Sequence, residues 1–253
     1  MLAGGRLDGG VLQLQALQRL DTLADWGRWL HQPGPWVGAF DLPFGLPREL
    51  VQALGWPLDW GGCMDHYASL GREQVRQAFA AFCADRPTGG KFAHRATDGP
   101  AGSSPSMKWV NPPVALMMHA GVPLLRAAGL HLPRQCEGDP QRVALEAYPG
   151  LLAREVLGRR SYKSDERVKQ TPERLIARKD LLHALEQGLP RWGLRLRLRP
   201  AQHDMLVADA SGDSLDAVLC LWQAAWAWRQ HQAGDPYYGL PACDPLEGWI
   251  VGA

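Results

Sequence analysis

Apolar and polar residues alternate near the start of the chain. Leu12 and Leu14 alternate with Gln13 and Gln15, the period-two pattern of a half-buried strand. Leu7-Asp8-Gly9-Gly10-Val11 supplies turn chemistry just before it, so residues 4–20 are predicted to form a hairpin. Asp21-Thr22 offers a cap for a helix to about His31, and Pro33-Gly34-Pro35 breaks the chain behind it. Trp36 to Phe40 then reads as a short buried strand, ended by Pro43, Gly45 and Pro47. The predicted order is strand, strand, helix, strand.

From about Arg48 to Pro133 the periodicity becomes helical, clearest over Glu73–Phe82 and Val114–Ala128, and predicts a mainly helical insertion. Its middle is rich in turn residues, from Asp85 to Lys91 and from Thr97 to Pro105, as in a long functional loop or a mobile lid. Lys91, His94, Arg95 and Lys108 make this stretch locally basic. Val143 to Tyr148 returns to a strand pattern, stopped by Pro149-Gly150, and a basic helical region follows. Arg195 to Leu198 alternates like a polar edge strand. Ala217 to Trp228 is apolar almost all round and predicts a buried helix, and Gly248 to Val251 is read as a short terminal strand.

Length and composition place this pattern in one large domain, residues 1–253, with 48–133 inserted: 253 residues at 46% hydrophobic content can bury a sizeable core. No run approaches a membrane span and the first residues lack the apolar segment of a signal peptide, so no membrane association and a cytoplasmic location are expected. The five cysteines form no Cys-x-x-Cys pair and the eight histidines no His-x-x-x-His pair, which speaks against a disulfide framework or a zinc site. A formal net charge of +1 gives no general attraction to polyanions. Any nucleic-acid contact must come from a local patch. The run holding Arg159, Arg160, Lys163, Arg167, Lys169, Arg174 and Arg178 is the candidate, with a solvated helix face as the plainer explanation.

The candidate chemistry is carboxylate. Asp41 ends an apolar strand, where α/β sheets place their sites, although an Asp there also serves a turn by accepting backbone hydrogen bonds. Glu146 interrupts a second buried strand. Asp213 and Asp216 share one face at the start of a buried helix, where helix capping is the competing explanation. Buried carboxylates are paired, protonated or bound to a cation, so acids converging from three elements suggest Mg²⁺ or Mn²⁺, with water and substrate phosphate completing the shell.

Three stretches carry a family resemblance: Phe40-Asp41-Leu42-Pro43-Phe44-Gly45-Leu46-Pro47, Ala144-Leu145-Glu146-Ala147-Tyr148-Pro149 and Gly212-Asp213-Ser214-Leu215-Asp216-Ala217. In that order they resemble signatures of the domain-of-unknown-function 429 family, predicted nucleases with an RNase H-like fold. Residues 104–113 and Tyr162-Lys163-Ser164-Asp165 to Thr171 are similar to one branch of it. The resemblance implies an α/β fold with a central mixed sheet, its first three strands antiparallel and helices on its faces. It makes Asp41, Glu146, Asp213 and Asp216 candidate metal ligands or supports for phosphodiester hydrolysis, with Lys163, Lys169, Arg174 or Arg178 on phosphate. The family pattern opens with a strand bearing an acid that Met1 to Gly5 does not offer. In-frame codons upstream are therefore expected to encode an apolar strand with Asp; the other reading is a chain short of one ligand and impaired.

The competing function is a non-catalytic module that uses the same fold to bind nucleic acid or a protein. A nucleotide phosphotransferase is weaker, because Gly89-Gly90-Lys91 is too short for a phosphate loop. Ser103, Ser104 and Ser106 have His94 and His119 nearby in sequence but no Gly-x-Ser-x-Gly elbow.

Overall fold

A computed structural model describes residues 1–189 and 191–253. Two strands, β1 (Leu2–Asp8) and β2 (Val11–Gln18), form the antiparallel hairpin around Gly9-Gly10, with Leu7 opposite Leu12. Helix α1 (Leu23–Leu30) starts at Thr22, whose hydroxyl accepts the Asp25 N–H while the Asp25 carboxylate accepts the Thr22 N–H, a reciprocal capping box. Strand β3 (Trp36–Phe40) follows.

The helical stretch holds α2 (Arg48–Ala53), α3 (Trp60–Ser69), α4 (Arg72–Ala84), the single turn α5 (Asp98–Ala101) and α6 (Val114–Ala127). Its end departs from expectation, because β4 (Leu130–His131) is already a strand beside β5 (Asp139–Glu146). Helices α7 (Pro149–Leu157) and α8 (Pro172–Gln187) both open on a proline, whose missing N–H costs nothing in a first turn. Strand β6 (Arg195–Arg197), α9 (Pro200–Ala208) and α10 (Asp213–Gln232) complete the order. Gly248 to Val251 is not a strand; Ile250 makes one isolated bridge to Glu146.

The fold is mixed α/β, and among the described residues its strands form two three-stranded sheets instead of one central sheet. One has the order β1-β2-β6, the other β3-β5-β4. Only β1 and β2 pair antiparallel; β2 with β6, and β5 with both β3 and β4, are parallel. Helix α10 packs against β1 and β3 and so joins the halves. Its Leu215, Val218, Leu219 and Trp222 are buried with the hairpin, α7 and α8, while Ala227 packs with the β3/β5 face, which is why the helix is apolar on nearly every side. A second core lies between β3 and helices α2 to α6, around Phe44, Tyr67, Phe79 and Met118. Among the described residues no helix is long and apolar enough to cross a membrane.

Candidate functional site

Asp41 leaves β3 at its carboxyl end, as the strand reading requires. Its neighbour in register is the end of β5, because Phe40 pairs with Glu146. Asp41, Asp213 and Asp216 line one cavity of about 370 Å³, walled by β1, β3 and α10. Asp41 is exposed at this opening. Desolvation, reinforced by the Asp216 charge, pushes its pKa up to about 7.

Capping does not explain the helix pair. Residue Gly212 is the N-cap of α10, and the carboxylate that serves the helix start is Asp209, which accepts the Ser214 N–H at 2.9 Å and the Ser211 hydroxyl at 2.7 Å. Asp213 projects into solvent and makes no side-chain hydrogen bond among the described residues. Asp216 instead accepts hydrogen bonds from the Tyr162 hydroxyl on one oxygen and the Lys163 ammonium on the other.

The placement of Lys163 follows from the backbone. Gly212 has φ +79°, a left-handed conformation that favours glycine, and a Cβ there would lie 2.6 Å from the Lys163 Cβ. The lysine stem therefore crosses a surface only glycine leaves flat, and Ser164 N–H fastens the strand of chain to Ala210 O at 3.1 Å. Burial works against the Lys163 charge, but the Asp216 carboxylate outweighs it and holds the ammonium above its ordinary pKa.

Glu146 is committed elsewhere. Arg95 donates to both of its oxygens, at 2.7 and 2.8 Å, and the Phe44 N–H adds a third bond at 2.9 Å. Asp98 takes the other side of the same guanidinium, from Nε at 3.1 Å and Nη2 at 2.9 Å. All three side chains are buried. The turn-rich stretch read as a loop or lid is thus anchored through Arg95 and Asp98 into the centre of the molecule. Among the described residues no three His, Cys, Asp or Glu side chains form a group able to hold a metal ion unaided. Asp41, Asp213 and Asp216 share the larger cavity, while Asp41 and Glu146 line a smaller one of about 100 Å³ in which Glu146 is held by Arg95.

The basic candidates separate as well. Lys163 faces the carboxylates. Lys169 pairs with Glu166 on the surface, and Arg174 donates to the Lys169 carbonyl. Arg178 is buried and donates to Tyr162 O and Val207 O, both at 2.8 Å, so it supports the Tyr162-Lys163 segment and presents no charge to solvent.

Residues 3–238 match the sequence profile of a family described as "Protein of unknown function (DUF429)". The chain belongs to that family. The match runs from Ala3, within β1, past the end of α10, and with it includes all eight candidate residues of the DUF429 chain. No curated protein and no solved structure matches it. Two partners in this DUF429 site escaped the residue-by-residue reading. Tyr162 carried a signal in the motif Tyr162-Lys163; Arg95 carried none, because nothing local shows that one arginine of a basic stretch turns inward.

Proposed function

We propose that this chain is a metal-dependent phosphodiester hydrolase on an RNase H-like arrangement, a single domain over residues 1–253 with 48–133 inserted. The observation that carries the reading is the cavity lined by Asp41, Asp213 and Asp216, with the Lys163 ammonium bonded to Asp216 beside it. Three acids against one ammonium leave negative charge that a divalent cation would neutralise. The oxygen-only donor set fits Mg²⁺ or Mn²⁺, which take one or two carboxylates and fill the remaining positions with water and substrate phosphate. A bound cation would supply Lewis-acid stabilisation of phosphate charge. Asp41 with one of Asp213 and Asp216 would hold it, and water and phosphate oxygens would supply the rest of the shell.

The chain's own groups have distinct tasks in this reading. Asp41, at the carboxyl end of β3, would serve as one of the carboxylates that hold the cation and so orient the attacking water against the phosphate. Lys163 offers its ammonium to a phosphate oxygen, and Tyr162 orients Asp216. Lys169, just ahead of α8, and Arg174, in its first turn, continue the contact along a nucleic-acid backbone.

The test is calorimetric titration with Mn²⁺ of the wild type, Asp41→Asn and Asp216→Asn, with cleavage of labelled DNA and RNA followed in parallel. Mn²⁺ binding lost in both variants together with cleavage supports the reading. Folded wild-type protein that binds no Mn²⁺ and cleaves neither substrate overturns it. The second reading, a non-catalytic nucleic-acid or protein binding module, is favoured by one observation, the commitment of Glu146 to Arg95. Salt-sensitive DNA or RNA binding without cleavage would select its nucleic-acid form.

A further inference from the structure

Asp41 stands between two cavities. The larger runs along α10, and the smaller, of about 100 Å³, is closed in by the turn-rich stretch and the start of α6. The apolar walls of the smaller one are Leu42 and Pro43, which follow Asp41 out of β3, and Val114 and Met117 of α6. Val114 and Met117 are three residues apart on one helix and so share a face. Leu42 packs on the same helix at Gly121, where a Cβ would lie 3.0 Å from the Leu42 Cδ2. Met117 is 40% exposed, a large apolar side chain left uncovered at this cavity. Glu146 reaches the cavity as well, with its charge held by Arg95. A phosphate placed here would face two carboxylates and be repelled, whereas a neutral ring meets no such penalty.

The polar side consists of Ser103, Ser104 and Tyr148. The Ser103 hydroxyl donates to the Asp98 carboxylate at 3.1 Å, and its N–H to the Asp98 carbonyl at 3.0 Å. The Ser104 hydroxyl makes no hydrogen bond among the described residues. Arg154 of α7 pins the turn ahead of both serines, donating to the carbonyls of Ala101 at 3.1 Å and Gly102 at 2.8 Å. Gly102 has φ +59°, and a Cβ on it would lie 1.6 Å from the Arg154 Nη1, so glycine is what lets the guanidinium reach the turn. Between this clamp and the buried Arg95–Asp98 pair the serines are fixed before any ligand arrives, which lowers the ordering cost of binding.

We propose that this cavity receives one base of the substrate strand, lifted out of its stack, beside a phosphate held at Asp41. The inference rests on the hydrolase reading and names its substrate class, a single-stranded or locally unpaired nucleic acid. The volume equals about three water molecules at their ~30 Å³ share of liquid, room for a ring and not for a whole nucleotide. The Met117 thioether makes favourable contact with aromatic rings. Hydroxyl groups both donate and accept, which matches the mixed donors and acceptors along a base edge. A base inside a duplex offers neither its face nor its pairing edge, so it must leave the helix to enter.

The experiment is cleavage by the full chain with Mn²⁺ of one labelled strand, made as DNA and as RNA, in three forms: intact, annealed to its complement, and carrying a single abasic residue. Cut positions are mapped on a sequencing gel, and binding of the same strands is followed by fluorescence anisotropy. The expected result is a cut beside the abasic residue at least tenfold weaker than at the same position of the intact strand, with distant positions unchanged, and at least tenfold slower cleavage of the duplex. In Ser104→Tyr, which fills the cavity, the intact strand is expected to be cut no faster than the abasic position is in the wild type. The abasic comparison reads on wild-type protein and so holds even where the variant fails to fold. Cleavage indifferent to the missing base and equal on duplex overturns the proposal and leaves the hydrolase reading standing. Binding without cleavage, weakened at least tenfold by removing every base of the strand and by Ser104→Tyr, would support the base site while the hydrolase reading fails. Neither binding nor cleavage of any strand overturns both.

Discussion

Arg95 grips Glu146 with both terminal nitrogens, at 2.7 and 2.8 Å, inside a site closed to solvent. The pair joins the end of β5 to a stretch with almost no secondary structure, and Asp98 and the Glu247 carbonyl, at 3.0 Å, complete the guanidinium's bonds. Burial opposes the arginine charge, and the Glu146 and Asp98 carboxylates reverse that and hold it firmly protonated. Removing one member leaves the others buried without compensation. Glu146→Gln is expected to cost about 3–5 kcal/mol in urea unfolding. The double variant Arg95→Met, Glu146→Leu is expected to recover part of that loss, measured by the same titration as a coupling between the two sites.

Asp41 makes stability depend on pH in a defined direction. Its folded pKa of about 7 lies above the value of 3.8 expected unfolded, so between these limits the folded state binds more protons. Stability from this group is full below about pH 4 and is lost as pH rises through 7. The melting temperature of the wild type is therefore expected to fall between pH 5 and pH 8 by more than that of Asp41→Asn. Equal pH dependence in the two proteins would show that Asp41 titrates normally.

Asp209, not Asp213, holds the start of α10. Asp209→Ala is expected to destabilise by roughly 1 kcal/mol, the usual cost of a lost cap. Asp213→Ala is expected to stay within about 0.5 kcal/mol, as at an exposed position. Thermal melts of the two variants side by side decide it.

The two ends of the basic run are expected to behave oppositely. Arg178→Ala removes hydrogen bonds from a buried charge to Tyr162 O and Val207 O, each worth about 1.5–3 kcal/mol, and should appear in stability. Lys163→Ala should appear in nucleic-acid binding. If Lys163 contacts one phosphate, the salt slope of log K falls by about 0.9 on duplex or about 0.7 on single strands. Filter binding from about 50 to 200 mM salt gives the slope.

The hairpin, the capped α1, β3 with Asp41 at its end, β5 with Glu146, β6 and the buried α10 were all legible because each is written in local terms: a period, a cap, a breaker. The carboxylates were legible for the same reason, since a charge inside an apolar run is visible without a fold. The terminal strand expected at Gly248–Val251 does not form, because three apolar residues in a row after a glycine are too short a pattern to fix a period, and only an isolated bridge at Ile250 is made. Nor were the partners legible. Arg95 lies 51 residues from Glu146 and Lys163 lies 53 from Asp216, separations over which no pattern in the chain reports a contact.

By itself, then, the sequence determined most of the strands and helices, though not β4 or α9, where the acids stand along them and, through the order of its motifs, membership of the DUF429 family. Those properties rest on short-range periodicity and capping. Only the tertiary structure decided what each charge does, because pairing is a property of distance in space. It gave Glu146 to Arg95, Asp216 to Tyr162 and Lys163, and Arg178 to the backbone, and it left Asp41 and Asp213 facing a cavity. It also set the strands in two three-stranded sheets joined by α10, since which strands pair depends on how distant segments pack.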